Sequence, residues 1–264
     1  MKYVDKTTEG GKVVKLKNYK KRAKRNKIRR KILLFFLILI ILIIILLYAP
    51  FMKVKNINCI GNETITDEEI ISLSKICIGN NIFRINKSKA IDCIDNISYI
   101  KNVTIDRKLP STVNINVEEC RVRAYILNNK EYVYIDESAK ILEISPTPPE
   151  TQASDITGVK LVNPTVNKFA EFKNNNQLEC LTAILSATVN SKFNGIITNI
   201  DITDVTNTKI TLNDKLKIII GDTDNLDYKI NFMASGAYDS LGDTRAGTLD
   251  VSYGNSAVFK EKND

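Results

Sequence analysis

An uncharged run of 21 residues from Ile32 to Met52 is the feature that most constrains how this chain folds. As an α-helix the run is about 31 Å long, which matches a bilayer hydrocarbon core of about 30 Å. A cleaved signal peptide has an apolar core of only about 7 to 15 residues and ends at small residues, and neither condition is met. The sequence therefore predicts a single membrane-spanning helix over residues 32–52 that remains uncleaved.

Positive charge is concentrated in front of this run. Residues 1–31 contain 14 Lys and Arg against Asp5 and Glu9, a net charge of +12, whereas the rest of the chain has 24 basic and 28 acidic side chains. Under the positive-inside rule the N-terminus is cytoplasmic and everything from Lys53 onward is external. We predict residues 1–31 to be a disordered basic tail, with contact to anionic lipid as an alternative role. Nucleic-acid binding is disfavoured, because no aromatic residue interleaves with the basic block Lys20 to Lys31.

The five cysteines all follow the predicted span, where disulfides are permitted. They are odd in number, widely spaced and without a C-x-x-C pair, so neither a disulfide framework nor a zinc or thioredoxin-like site is indicated. We interpret them as structural thiols in apolar surroundings. They are Cys59, Cys77, Cys93, Cys120 and Cys180.

The first external segment, 53–123, has the order β-α-α-β-β. A strand within 51–62 precedes a capping box at Thr66 to Glu69, which begins a helix that we expect to stop at Gly79. A second short helix follows Asn86. Alternating apolar residues then mark two strands on either side of a turn at Leu109 to Ser111. This order predicts two helices on one face of a three-stranded sheet, with edge strands able to accept another chain.

The second segment, 124–260, is richer in strands and is followed by a short tail, 261–264. An amphipathic helix is predicted near Leu178 to Val189, a hairpin about Asn213-Asp214, and a last helix over Leu226 to Leu241. We expect Thr248 to Phe259 to close this segment as one strand. The predicted fold class is therefore α+β, with a small module followed by a larger one that has a mainly antiparallel sheet.

Composition argues against an enzyme. The chain has no histidine, which removes His-activated Ser or Cys nucleophiles and His-based metal sites. Asp201 with Asp204, and Asp222 with Asp224, are the nearest approach to a paired-carboxylate hydrolase site. Because both pairs lie where strands meet turns or helices begin, we interpret them as turn and capping residues. We predict no catalytic, metal or cofactor site.

Several short patterns, in their order and spacing, resemble the FtsQ/DivIB family of bacterial division proteins, which carry a polypeptide-transport-associated (POTRA) domain next to the membrane. The resembling residues are Asn81-Ile82-Phe83, Tyr99-Ile100, Arg107, Pro110-Ser111-Thr112, Ile115, Glu119, Ile156-Thr157-Gly158-Val159, Gly221, Lys229 and Gly247-Thr248-Leu249-Asp250-Val251. The chain departs from the family at the domain junction, where Glu119-Cys120-Arg121-Val122-Arg123-Ala124 replaces a Glu-Arg-x-Pro-x-Ala pattern.

The resemblance implies a bitopic scaffold at the division septum that needs no cofactor. Such proteins bind FtsB-like or DivIC-like and FtsL-like single-span partners outside the membrane and are linked to control of septal peptidoglycan synthesis. The family's partner surface lies on its last strands and the preceding helix. The matching candidates here are Leu249, Val251, Tyr253, Gly254, Asn255, Ser256, Ala257 and Val258. The alternative for Leu249, Val251 and Tyr253 is that they fill the core side of an end strand.

Two other functions compete with this interpretation. One is a POTRA-bearing export or envelope-assembly factor, which we expect to carry several tandem POTRA units, whereas one is predicted here. The other is a membrane-tethered cell-wall hydrolase, which would have to act on purified peptidoglycan.

Overall fold

The computed structural model describes residues 17–241 and 246–261, with side chains from 27 to 45 and from 49 onward. The helices are α1 (Lys17–Tyr48), α2 (Asp67–Ser74), α3 (Lys87–Asp95), α4 (Asn175–Val189), α5 (Leu226–Phe232) and α6 (Tyr238–Leu241). The strands are β1 (Asn56–Ile60), β2 (Ile100–Lys108), β3 (Thr112–Glu119), β4 (Ala124–Asn128), β5 (Glu131–Ile135), β6 (Ile141–Ser145), β7 (Ser154–Thr157), β8 (Ile197–Asp201), β9 (Thr208–Leu212), β10 (Leu216–Gly221), β11 (Gly247–Asp250) and β12 (Val258–Glu261).

Helix α1 differs in its bounds from the predicted span over 32–52. It begins at Lys17, inside the segment predicted as a disordered tail, and ends at Tyr48, followed by a 3₁₀ turn over Pro50–Met52. The end is explained by Pro50, which disfavours helical backbone in the residue before it. In the part of the chain that the structure describes, no helix has both the length and the apolarity that crossing a membrane requires. The span therefore stays a prediction.

Parts of the predicted tails lie outside the described residues, namely 1–16 and 262–264.

By its contacts the chain divides into two units, the first comprising Met1–Asn56, Cys77–Ile85 and Lys108–Thr112. In this unit the Val54 N–H donates to the Asn80 carbonyl and the Gly79 N–H donates to the Val54 carbonyl, each over 2.8 Å. Among the described residues, the buried apolar side chains of this unit are Met52, Val54 and Ile82.

The second unit begins with most of the β-α-α-β-β module, whose predicted order is confirmed. The three strands pair in the order β1-β3-β2. Helix α2 starts at the predicted cap, where Thr66 Oγ1 accepts the Glu69 N–H over 3.3 Å. It ends at Ser74, before the predicted stop at Gly79, because Lys75 adopts left-handed backbone with φ +56°. Helix α3 follows Asn86, as predicted, and the Asn86 side chain caps it.

The remainder of this unit is a nine-stranded sheet in the order β12-β11-β10-β9-β8-β7-β4-β5-β6. Five of its pairings are antiparallel and three (β4 with β7, β7 with β8, β10 with β11) are parallel, so the sheet is mainly antiparallel, as predicted. Apolar side chains of α4 and α5 form one core with the alternate residues of these strands. The predicted hairpin joins β9 to β10 through Asn213 and Asp214, both at positive φ.

Candidate partner-binding surface

The C-terminal end of the sheet is built differently from the single strand predicted over Thr248 to Phe259. Two antiparallel strands, β11 and β12, occupy this region and are joined by a connection over 251–257. The chain reverses because the Gly254 N–H donates to the Val251 carbonyl over 2.9 Å, and Gly254 adopts φ +77°, which a glycine adopts without strain. The prediction of one strand was therefore wrong.

The edge of the sheet is β12, with Val258 at its start. Among the described residues it pairs only with β11, on one side, and it ends the strand order. Its other side presents backbone groups to which an incoming strand can bind.

Burial separates the predicted contact residues into two groups. Leu249 and Val251 are 2% and 0% exposed and belong to the core, as the alternative interpretation proposed. Their side chains are therefore not part of a free surface, which corrects the prediction at these two positions. Tyr253, by contrast, is 82% exposed, so the core alternative fails there. Gly254 is buried, whereas Asn255, Ser256, Ala257 and Val258 are exposed.

The turn that carries Tyr253 has defined local contacts. The Ser252 N–H donates to Asp250 Oδ1 over 3.0 Å, an Asx-type hydrogen bond at the end of β11. The Val251 N–H donates to the Ile219 carbonyl over 2.9 Å, which ties the start of the turn to β10. The two residues that precede Tyr253 in this turn, Val251 and Ser252, are therefore held by backbone hydrogen bonds.

Helix α5 adds an aromatic residue that sequence reasoning missed. Tyr228 is 57% exposed and stacks on Phe232, with ring centroids 6.4 Å apart and an interplanar angle of 12°. A Cβ placed on Gly254 would lie 3.8 Å from Tyr228 Cδ1, so the turn lies against this ring. Tyr228 falls outside the apolar face through Leu226, Ile230 and Met233 that identified the helix. An aromatic residue on the polar face of a predicted helix was the sequence signal that could have identified it.

The first carboxylate pair considered for hydrolysis, Asp201 with Asp204, holds turns instead. Asp201 Oδ1 accepts from the Thr203 N–H and hydroxyl, at 3.1 and 2.7 Å. Asp204 Oδ1 does the same with Thr206, at 2.9 and 2.7 Å, and these hydrogen bonds lower the pKa of Asp204. Carboxylates held in this way are ionised acceptors of local donors, and a general acid requires the opposite, a raised pKa.

A cleft of about 820 Å³ lies beside the link between the two sheets of the second unit. Three of its carboxylates already have partners within the protein. Glu119 accepts backbone N–H groups, Glu63 pairs with Arg121 over 2.7 Å, and Glu143 accepts the Tyr99 hydroxyl over 2.9 Å. These carboxylates stabilise the fold through their hydrogen bonds and ion pair, so we propose no catalytic role for the cleft.

Comparison with known proteins identifies the family. Residues 52–119 match the POTRA domain, FtsQ-type. Cell division protein DivIB of Clostridium acetobutylicum is 30% identical over 213 residues, which cover 81% of this chain and 84% of that protein. DivIB of Clostridium botulinum strain Hall is 30% identical over 222 residues, covering 81% of this chain and 83% of that protein.

A solved structure, the major extracytoplasmic domain of DivIB from Geobacillus stearothermophilus, matches with a TM-score of 0.31 and 12% identity over 45% of this chain and 89% of that one. The matching family model and the clostridial relatives indicate no enzyme family. On the extent and identity of the clostridial matches, this chain belongs to the DivIB/FtsQ family of bacterial cell division proteins.

Proposed function

We propose that this protein is a non-enzymatic scaffold of the division machinery. It binds DivIC-like (FtsB-like) and FtsL-like single-span proteins outside the membrane and, through them, helps to control septal peptidoglycan synthesis. Family membership supports the role in division. The observation that carries the binding proposal is the surface at the end of the sheet, where an almost fully exposed tyrosine lies next to an edge strand.

The surface consists of Tyr228, Tyr253 and the exposed residues from Asn255 to Val258. Its tyrosines have large contact areas and only two side-chain torsions each, so their ordering on binding costs little entropy. The unpaired edge of β12 adds backbone donors and acceptors for a partner segment. Val258, 65% exposed, provides apolar contact at the start of that edge.

The proposal includes a bitopic topology at the septum. It is supported by the uncharged stretch at 32–52 and by the net charge of +12 in front of it. Apolar side chains from Ile32 to Ile45 are exposed along α1, and a bilayer would remove them from water. The basic residues before Ile32 would then face anionic lipid on the cytoplasmic side.

A Tyr253→Ala variant tests the binding surface. The full-length protein in detergent is titrated with the external segment of the DivIC homologue from the same genome. We expect Kd to rise about 30-fold, since a central aromatic anchor contributes about 2 kcal/mol. The melting temperature should stay unchanged, because the side chain is 82% exposed.

The matched control is Phe169→Ala. Phe169 is also an exposed aromatic, at 65%, but lies in the connection between β7 and α4. Its truncation should leave Kd unaltered. Equal affinities for wild type and a folded Tyr253→Ala variant would remove this turn from the partner surface.

A further inference from the structure

Gly221, Lys229 and Asp250 belong to three different elements, β10, α5 and β11, but lie together around the turn that carries Tyr253. A Cβ on Gly221 would lie 3.0 Å from Ser252 Cβ, so the end of β10 approaches the turn closely. Asp250 Oδ1 accepts the Ser252 N–H over 3.0 Å. A Cβ on Gly254 would lie 3.8 Å from Lys229 Cγ, so the stem of Lys229 also lies against the turn.

Lys229 is almost fully buried, at 5% exposure, although it carries an ammonium group. Its Nζ donates to the Asp222 carbonyl over 3.0 Å and to Asp222 Oδ1 over 2.8 Å. Burying an ammonium group is unfavourable unless it is paired and hydrogen-bonded, and Asp222 provides both. Because Asp222 directly follows Gly221, this contact ties α5 to the end of β10, the two elements on which the turn rests.

We propose that Lys229 is a positioning residue for the partner surface, ordering the Val251–Gly254 turn so that Tyr253 is held in its binding orientation before a partner arrives. The ordering is a property of the free protein, and only its effect on affinity rests on the proposed function. The Lys229 side chain is buried under the turn, so it acts through Tyr253 and not by contact with the partner. Loss of this preorganisation should weaken binding by about 2- to 10-fold.

The absence of tryptophan from the chain allows a direct test of this ordering. Tyr253→Trp places a single tryptophan in the turn of the full-length protein, and its anisotropy and acrylamide quenching report how freely it moves. Adding Lys229→Met keeps an apolar stem but removes the ammonium group, so we expect lower anisotropy and stronger quenching. Lys217→Met, an exposed lysine on β10, is the matched control and should change neither quantity.

Unaltered anisotropy and quenching in a folded Lys229→Met protein would overturn the inference. If that variant does not fold, Asp222→Asn decides in its place, because the Asp222 side chain is 55% exposed and its replacement removes the negative charge that pairs with the buried ammonium group. Lower anisotropy and stronger quenching of the tryptophan in either variant support the inference.

Affinity then separates this inference from the proposed function. With Tyr253 restored, Lys229→Met should weaken binding of the DivIC-homologue segment. If Lys229→Met increases the mobility of the tryptophan but leaves Kd unaltered, Lys229 does order the turn, and the proposed role of the turn in partner binding is overturned.

Discussion

Glu119, the last residue of β3, shows how one side chain fixes a loop far away in sequence. Its two carboxylate oxygens accept the N–H groups of Glu63, Thr64 and Ile65, at 3.1, 2.9 and 3.0 Å. Burial raises the pKa of Glu119, but these three hydrogen bonds outweigh it and hold the pKa below its ordinary value of 4.5. The sequence showed Glu119 only as part of a family-like pattern, since nothing local marks a contact to residues more than fifty positions earlier.

A Glu119→Gln substitution should lower the free energy of unfolding by about 1 to 2 kcal/mol near neutral pH. The Gln NH₂ group would replace the oxygen that accepts the Thr64 N–H, so two donors would face each other and that hydrogen bond would be lost. The folded-state pKa of Glu119 is depressed, so its stabilisation is present above pH 4.5 and is lost as pH falls through the folded-state pKa. Denaturant unfolding of both proteins at neutral and acidic pH measures the difference. It should shrink in acid, and a difference that is constant across this range would contradict the assignment.

Burial of the cysteines was predicted correctly only at some positions. No disulfide joins the five thiols, all of which lie within the described residues. Cys120 and Cys180 are buried, but Cys77 is exposed although its neighbours in sequence are isoleucines. Apolar neighbours predicted burial wrongly here, because Cys77 lies in the irregular connection after α2, where strand or helix periodicity does not apply.

At the scale of elements, the connection between β8 and β9 packs closely against the end of β7. Gly158 adopts φ +84°, and a Cβ there would lie 2.5 Å from the backbone N and Cα of Thr203. Two independent constraints, backbone conformation and space, therefore require glycine at this position. This gives a physical reason for the glycine in the family-like segment Ile156-Thr157-Gly158-Val159.

Replacing Gly158 by Ala should destabilise the protein by about 2 to 4 kcal/mol, from positive-φ strain and overpacking against backbone that cannot give way. Gly236→Ala is the matched control, because a Cβ at Gly236 meets nothing within 4 Å. That change should be neutral or stabilise by up to about 1 kcal/mol. Similar melting temperatures for the two variants would show that the β7 end relaxes to accept a side chain.

At the scale of the whole molecule, the link between the β-α-α-β-β module and the nine-stranded sheet is fixed by polar contacts. Lys101 Nζ lies 3.1 Å from both Glu118 Oε1 and Glu137 Oε1, and Lys140 Nζ donates to the Ile100 carbonyl over 2.8 Å. The Cys120 N–H donates to the Tyr99 carbonyl over 2.8 Å. Backbone and lysine contacts therefore hold this junction, in a chain that lacks the family's proline there.

Topology is the prediction that belongs to this scale. External protease added to intact spheroplasts should degrade the chain after Lys53 and leave a small protected N-terminal fragment. Ile40→Arg should reduce membrane insertion, since Arg at the centre of a spanning helix costs about 2.5 to 3.5 kcal/mol. Leu127→Arg, at an exposed position in the nine-stranded sheet, should insert like wild type. Protection of the large C-terminal part would reverse the proposed orientation.

The sequence alone determined the order of elements in the β-α-α-β-β module, the α2 cap, the β9–β10 hairpin and the α+β class. These features depend on residues at most a few positions apart, through helical or strand periodicity and local side-chain caps. Tertiary structure decided the parallel pairings, the division of the last strand at Gly254, the exposure of Tyr253, and the meeting of Gly221, Lys229 and Asp250 beneath it. Contacts between distant segments set those outcomes, and alternation along one strand does not reveal which face or edge the rest of the chain will cover.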